Sequence, residues 1–419
     1  MFNSTISSLL GNQIRILSGF AFSSLGFREG EGEGIPLIRI RDLGKDTTQI
    51  SYIGSYDPLY LVEKEDILIG MDGDFEVFRW RGESALLNQR VCKIETTTSK
   101  LNKNFLFWFL KPQIKAIHRR TPQTTVRHLS INDINQISLP TICAEDQKAI
   151  ATILDTLDDT IQKTEQLIAK LKLMKQGMLH DLLTKGIDEN GELRDPVKHP
   201  EQFKDSPLGL IPKDWIINHL GDHYFIKGGK RLPAGHDYVD DYTKYRYLRV
   251  VDFYNKEIHF DELKNVSEKT FDALKNYRIE QENLYISIAG SIGFVGVFRG
   301  EEQAHYILTE NAAKLVPRTS NNPDFVALQS NSNLIQKQIS TAMGTGGGVP
   351  KLALFRIENL LYLWPSLSEQ DQIVRKMNAL TDQLQKNEID LYKLKLIKEG
   401  LMNDLLSGNV RISEEALNG

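Results

Sequence analysis

The chain repeats itself once, and that repeat constrains its fold more than any other feature. KTEQLIAKLKLMKQGMLHDLL (163–183) lines up with KNEIDLYKLKLIKEGLMNDLL (386–406), at a spacing of about 220 residues. Weaker matches precede it in the same order. Leu10-Gly11 answers Leu220-Gly221, and Ile38–Asp42 answers Leu248–Asp252. Val62–Leu68 answers Ile279–Tyr285, and Leu139-Pro140 answers Trp364-Pro365. A period this long means one supersecondary plan built twice. The plan is a variable domain followed by a long segment.

The long segments read as helices. Residues 145–184 contain no Pro, and apolar residues fall at Ile150, Leu154, Leu157, Ile161, Ile168, Leu171, Met178 and Leu182. Steps of three and four are a coiled-coil seam. The second copy places Ile373, Met377, Leu380, Leu384, Leu391, Leu394, Leu401 and Leu405 on the same pattern. A polar residue interrupts each seam at the matched positions Thr164 and Asn387. They either face each other and fix the register of an antiparallel pair or are tolerated singly. Gly177 and Gly400 sit inside helical patterns, where glycine costs about 1 kcal/mol against alanine. A close helix approach or a plain kink would account for them.

The expected organisation is a variable domain (1–144), a helix (145–186), a Pro/Gly-rich linker (187–219), a second domain (220–366), a second helix (367–407) and a tail (408–419). The fold class is α+β, with two mixed α/β domains related by a pseudo-two-fold and separated by two long antiparallel helices. Within the domains, helices are expected over 104–116 and 324–339. Gly290–Gly296 is expected to be a hairpin.

Charge is the functional clue. Thr96–Asn132 holds seven Lys/Arg and no acid, and Asn311–Ile357 holds five against Asp324 alone, in a chain of net charge -4. Two basic surfaces at matched positions point to two anion contacts, DNA phosphate above all, unless they are solvated faces. Each stretch ends in a polar loop, 118–125 and 343–351. Candidate contacts are Arg119, Arg120, Gln123 and Arg127 in the first domain. In the second they are Thr345 and Lys351, with Lys230 and Arg231 from a loop at 226–231 that answers 17–22.

Other chemistries find little support. Two cysteines make no disulfide scaffold or Cys-rich zinc module and fit a reducing cytosol. No apolar run approaches the roughly 20 residues of a membrane span. Asp57-Pro58-Leu59-Tyr60 is similar to the Asp-Pro-Pro-Tyr of amino-methyltransferases but lacks the second proline and a Gly-rich cofactor turn. Gly344–Gly348 lacks the Gly-Lys-Ser/Thr of a P-loop.

The two-fold alternation resembles the specificity subunits of type I restriction–modification systems. Leu139-Pro140…Asp146-Gln147, Trp364-Pro365-Ser366-Leu367-Ser368-Glu369-Gln370, the Lys-Leu-Lys…Asp-Leu-Leu helix tails and KDSPLGLIPKDW (204–215) carry the resemblance over essentially the whole chain. The first half lacks the Ile-Pro-x-x-Trp lead-in. The resemblance implies a non-catalytic, cytoplasmic subunit whose two target-recognition domains each read half of a split double-stranded DNA site. Two methyltransferase subunits would dock on the helices, with restriction/translocase subunits in the full complex. S-adenosylmethionine and ATP would bind those partners and no cofactor this chain. A coiled-coil scaffold whose basic loops meet protein or RNA is the alternative, and an adenine methyltransferase around Asp57–Tyr60 the third reading.

Overall fold

The computed structural model describes residues 8–30, 33–122, 127–254, 257–343 and 350–407. The candidate residues Gln123 and Thr345, and the tail 408–419, lie outside them. Contacts divide the chain into two units, 1–166 with 388–419, and 167–387. Each unit therefore combines one mixed domain with a piece of both long helices.

The helices run Ala144–Thr184 (41 residues) and Leu367–Leu406 (40 residues). Six of the first seam's residues are buried (Ile150, Leu154, Ile161, Ile168, Leu171 and Leu182), and Leu157 and Met178 are half-buried. Ile373, Met377, Leu380, Leu384 and Leu405 are buried in the second. In the first unit Lys398 pairs with Asp158, and Lys395 with Glu165 at 2.7 Å. The higher-numbered acid meets the lower-numbered lysine, so these helix segments are antiparallel. Leu405 and Leu406 share a core with Ile150, Ala151 and Leu154. In the second unit Leu182 and Leu183 join Ile373, Val374 and Met377, again end against beginning.

Thr164 donates to the Thr160 carbonyl at 2.8 Å and Asn387 to the Gln383 carbonyl at 2.7 Å, so each polar group is served by its own helix. Among the described residues, a Cβ added at Gly177 or Gly400 would meet nothing within 4 Å. The close-approach reading of these glycines therefore fails: both lie on exposed helix surface, and no neighbouring helix needs the space. Gly186 is different. It follows the first helix at φ +67°, the left-handed C-terminal conformation that glycine adopts freely.

Besides two-stranded pairs, each domain holds a four-stranded and a five-stranded sheet with the same strand order in both copies. In the first domain Ile14–Ser18, Val91–Thr96, Ile67–Gly70 and Val77–Arg79 form a four-stranded antiparallel sheet. Its counterpart is Tyr224–Gly228, Ala312–Pro317, Leu284–Ser287 and Val295–Val297. The strands Leu284–Ser287 and Val295–Val297 make the hairpin expected around Gly290. A five-stranded sheet lies beside each, with one parallel pair: Ile35–Ile38 with Ala85–Leu87, and Tyr245–Leu248 with His305–Leu308.

The first domain's helix spans Lys103–Arg120. The helix expected at 324–339 is two, Pro323–Ser330 and Asn333–Met343. The break falls at Asn331-Ser332, residue types that compete with helix by bonding nearby backbone. Asn331 donates to the Val295 and Ala327 carbonyls, both at 2.7 Å.

The repeat persists to individual atoms. Asn102 caps the first domain's helix, and its own amide donates to Gln147 at 2.8 Å. Asn322 caps Pro323–Ser330, and its amide donates to Gln370 at 2.9 Å. Both glutamines are buried in the first turns of the long helices. The same latch thus joins each domain to the helix that follows it. Buried Asp42 and Asp252 accept from the backbone amides of Arg39 (3.0 Å) and Arg249 (2.7 Å) in matching turns.

Candidate nucleic-acid interface

The four- and five-stranded sheets of each domain meet at a crossing that shapes the candidate surface. In the second domain Gly229 donates to the Ala312 carbonyl (2.9 Å) and Lys230 to the Leu308 carbonyl (2.9 Å). In the first, Gly19 donates to Val91 (2.8 Å) and Phe20 to Leu87 (3.0 Å). A Cβ at Gly19 would strike the Asn88 carbonyl, and one at Gly229 the Thr309 carbonyl. Glycine is required at both points because two backbones touch there.

The second crossing opens into a groove of about 820 Å³ that gathers three of the candidates, Lys230, Arg231 and Lys351. Glu310 also lines it, and all three cations are exposed. Arg231 Nε stands 3.5 Å from Glu310 Oε1, and Lys351 Nζ reaches the Glu310 carbonyl at 3.4 Å. Tyr247 donates its hydroxyl to the Lys230 carbonyl at 2.8 Å. Burial pushes that phenol up to about 12, so it stays a neutral donor. Leu352 donates to the Ile288 carbonyl at 2.8 Å, which anchors the returning end of the loop beside the groove.

The first domain anchors its loop the same way, Leu129 donating to Met71 at 2.7 Å. Its candidates are more dispersed. Arg119 and Arg120 end the helix and are exposed, and Arg120 folds back on the Ala116 carbonyl at 3.3 Å. With Asp133 and Gln136, Arg120 lines a separate groove of about 750 Å³ whose lining includes no residue of the crossing. Arg127 lies against His118 at 2.9 Å, and His118 stands 3.3 Å from Asp74. The Arg127 Nε is buried with no partner among the described residues.

The residues at the first crossing were absent from the sequence-based set. Phe20 stands where Lys230 stands and is exposed. Asp72 accepts from His128 at 2.6 Å and pairs with Arg90 at 3.3 Å. Glu310 was also missed: its signal was an acid between two strands, one residue before the basic stretch, and spacing alone does not place it beside the 226–231 loop.

A second missed cluster is structural. Glu369, buried in the first turn of the second long helix, accepts from the Ile187 amide (2.7 Å), Arg194 (2.6 Å) and Trp215 Nε1 (3.0 Å). A Cβ on Gly186 would collide with Glu369, Arg194 and Trp215. The linker is thereby an ordered clasp. Its signal was the pair of motifs around Trp215 and Glu369, which the sequence does not connect.

Among the described residues no helix is long and apolar enough to cross a membrane. The model of the type I restriction modification DNA specificity domain matches residues 14–173 and 212–393. The chain is 32% identical over 382 residues to the specificity subunit of the type I restriction enzyme EcoBI of Escherichia coli, covering 87% of this chain and 77% of that one. It is 22% identical over 358 residues to the MjaVIII specificity subunit of Methanocaldococcus jannaschii, covering 84% and 80%. In fold it is similar to the S subunit of a type I restriction–modification system from M. genitalium, with a TM-score of 0.58, 16% identity and 97% of each chain covered. With two matched copies of that domain spanning most of its length, the chain belongs to the type I restriction–modification DNA specificity family.

Proposed function

We propose that this subunit reads a bipartite, asymmetric site on double-stranded DNA, one half-site to each domain. The observation that carries the reading is the repeated crossing, which presents an anchored polar loop at matched places in two domains with unlike side chains. Like backbones give like docking, and unlike side chains give two different half-sites. The helices set the unread spacer and dock two methyltransferase subunits, with restriction/translocase subunits in the full assembly. Methyl transfer and cleavage belong to those partners, which would bind S-adenosylmethionine and ATP. The scaffold alternative is not favoured, since the family match covers both domains.

Lys351 and Arg119 serve as phosphate contacts in this reading. The test is a DNA shift titrated with salt, with the methyltransferase subunits present. Lys351→Ala or Arg119→Ala should weaken binding to all sequences and flatten the salt slope by about one unit. An unchanged slope and affinity removes that residue from the interface.

A further inference from the structure

We propose that the turn at the sheet crossing is a base-reading position, with Glu310 accepting a hydrogen bond from a base-edge amine, cytosine N4, in the half-site of the second domain. This rests on the DNA-reading function above and names a specificity determinant for it. The groove holding Glu310 is otherwise lined by cations at its polar end, Lys230, Arg231 and Lys351. Cations suit a phosphate backbone, whereas a carboxylate in the same groove repels it. That repulsion has to be offset by a donor, and cytosine N4 is the donor that an acidic side chain matches in the major groove.

The carboxylate is held but not saturated. Oε2 accepts from Thr309 Oγ1 at 3.0 Å and lies 3.5 Å from the Tyr247 hydroxyl, which donates more closely to the Lys230 carbonyl, and Oε1 meets Arg231 at 3.5 Å. An ionised carboxylate offers about four lone-pair sites. Arg231 has 76% of its side chain exposed, so this long contact is weak and leaves Oε1 open to a ligand.

The position is also rigid. Thr309 donates to the Leu248 carbonyl (3.0 Å) and Ile288 to the Asn311 carbonyl (2.8 Å), which pins both neighbours of Glu310 to strand ends. A reader needs such fixed geometry. The first domain pins the matched turn with the same bonds: Asn88 donates to Ile38 (3.2 Å) and Met71 to the Arg90 carbonyl (2.9 Å). Between them stands Gln89, exposed, and an amide of this kind pairs with adenine N6 and N7. The two domains therefore share one reading position with two different base preferences.

The experiment uses the assembled complex with its methyltransferase subunits, acting on a randomised DNA library. The methylated half-sites are sequenced, and affinity for non-specific DNA is measured in parallel. Glu310→Ala should relax one base pair of one half-site by about tenfold, leave the other half-site unchanged, and hold or raise non-specific affinity. Glu310→Gln should move the preference at that pair from cytosine toward adenine, and Gln89→Ala should relax a single pair of the other half-site. An unaltered melting temperature confirms that the variants fold. If Lys351→Ala weakens binding while neither Glu310 variant changes any base preference, the inference falls and the DNA-facing groove stands. Uniform loss of affinity in Glu310→Ala, copied by Arg231→Ala, also overturns it, because Glu310 then merely anchors the arginine. If Lys351→Ala has no effect either, the groove is not the DNA surface and both readings fail.

Discussion

The two domains share strand order, helix caps and latch, yet they are fastened to their helices by different means. In the first, Arg79 reaches Asp155 at 2.9 Å and Trp108 donates to the same oxygen at 2.8 Å. Arg81 bonds Gln162 at 2.7 Å, and Lys398 sits over the Trp108 ring at 4.7 Å. The domain itself grips the helix through side chains on one strand, the segment just after it and one helix. In the second, the residues matching Asp155 and Asp158 are Asn378 and Thr381, which carry no charge. There the linker supplies the grip, through Arg194 and Trp215 on Glu369. The shared latch fixes position, and the unlike grips show that position can be held by any chemistry that leaves no buried charge alone.

The contrast can be broken at each grip. Glu369→Ala leaves the Ile187 amide and Trp215 Nε1 without their acceptor and Arg194, whose side chain is 11% exposed, with Asp214 alone at 3.1 Å, and should cost about 3–5 kcal/mol. Thermal or urea unfolding measures it, and the matched Asp146→Ala should cost under about 1 kcal/mol. Equal losses would mean that the clasp adds nothing beyond the first helical turn. Asp155→Ala in the first domain leaves Trp108 Nε1 without its acceptor and should cost about 2–3 kcal/mol, with Asn378→Ala within about 0.5 kcal/mol.

The smallest contrast lies in a matched pair of lysines. Lys93 donates to the Leu61 carbonyl at 2.9 Å and pairs with Glu95 at 3.0 Å and Asp66 at 3.7 Å. Lys314 donates to the matched Arg278 carbonyl, but Val316 and Asn283 replace the two acids. Burial, with Lys227 alongside, holds its ammonium below the ordinary lysine value. Lys93→Met should cost about 1–3 kcal/mol and Lys314→Met under about 1 kcal/mol. The charged form of Lys314 is disfavoured in the fold, so that penalty is present below its folded pKa and fades as pH rises through it toward the unfolded value. Lys314→Met should abolish that rise in stability on the alkaline side. A slope that survives the substitution assigns it to another group.

The long helices were legible to within two residues, because a seam without Pro admits one reading. The helix break at Asn331-Ser332 was hidden by apolar residues that continue on both sides. The site was legible only where charge clusters along the chain, as at Lys230-Arg231. Glu310 and Lys351 join them through the crossing at Gly229, from about 80 and about 120 residues further along the chain, which no local pattern encodes. The close backbone approach, one of two readings of Gly177 and Gly400, falls instead at Gly19 and Gly229, where the residues just past two strand ends touch.

The first unit is assembled from residues 1–166 and 388–419. During synthesis its second piece leaves the ribosome after the whole of the other unit. At about 5–20 residues per second, the intervening stretch takes roughly 10–45 s to make. Throughout that interval Ile150 and Leu154 lack the Leu405 and Leu406 that cover them. The unit translated first is thus the one completed last, and a nascent chain carries an uncovered apolar stripe that a chaperone or a neighbouring polysome partner can bind before its own helix arrives.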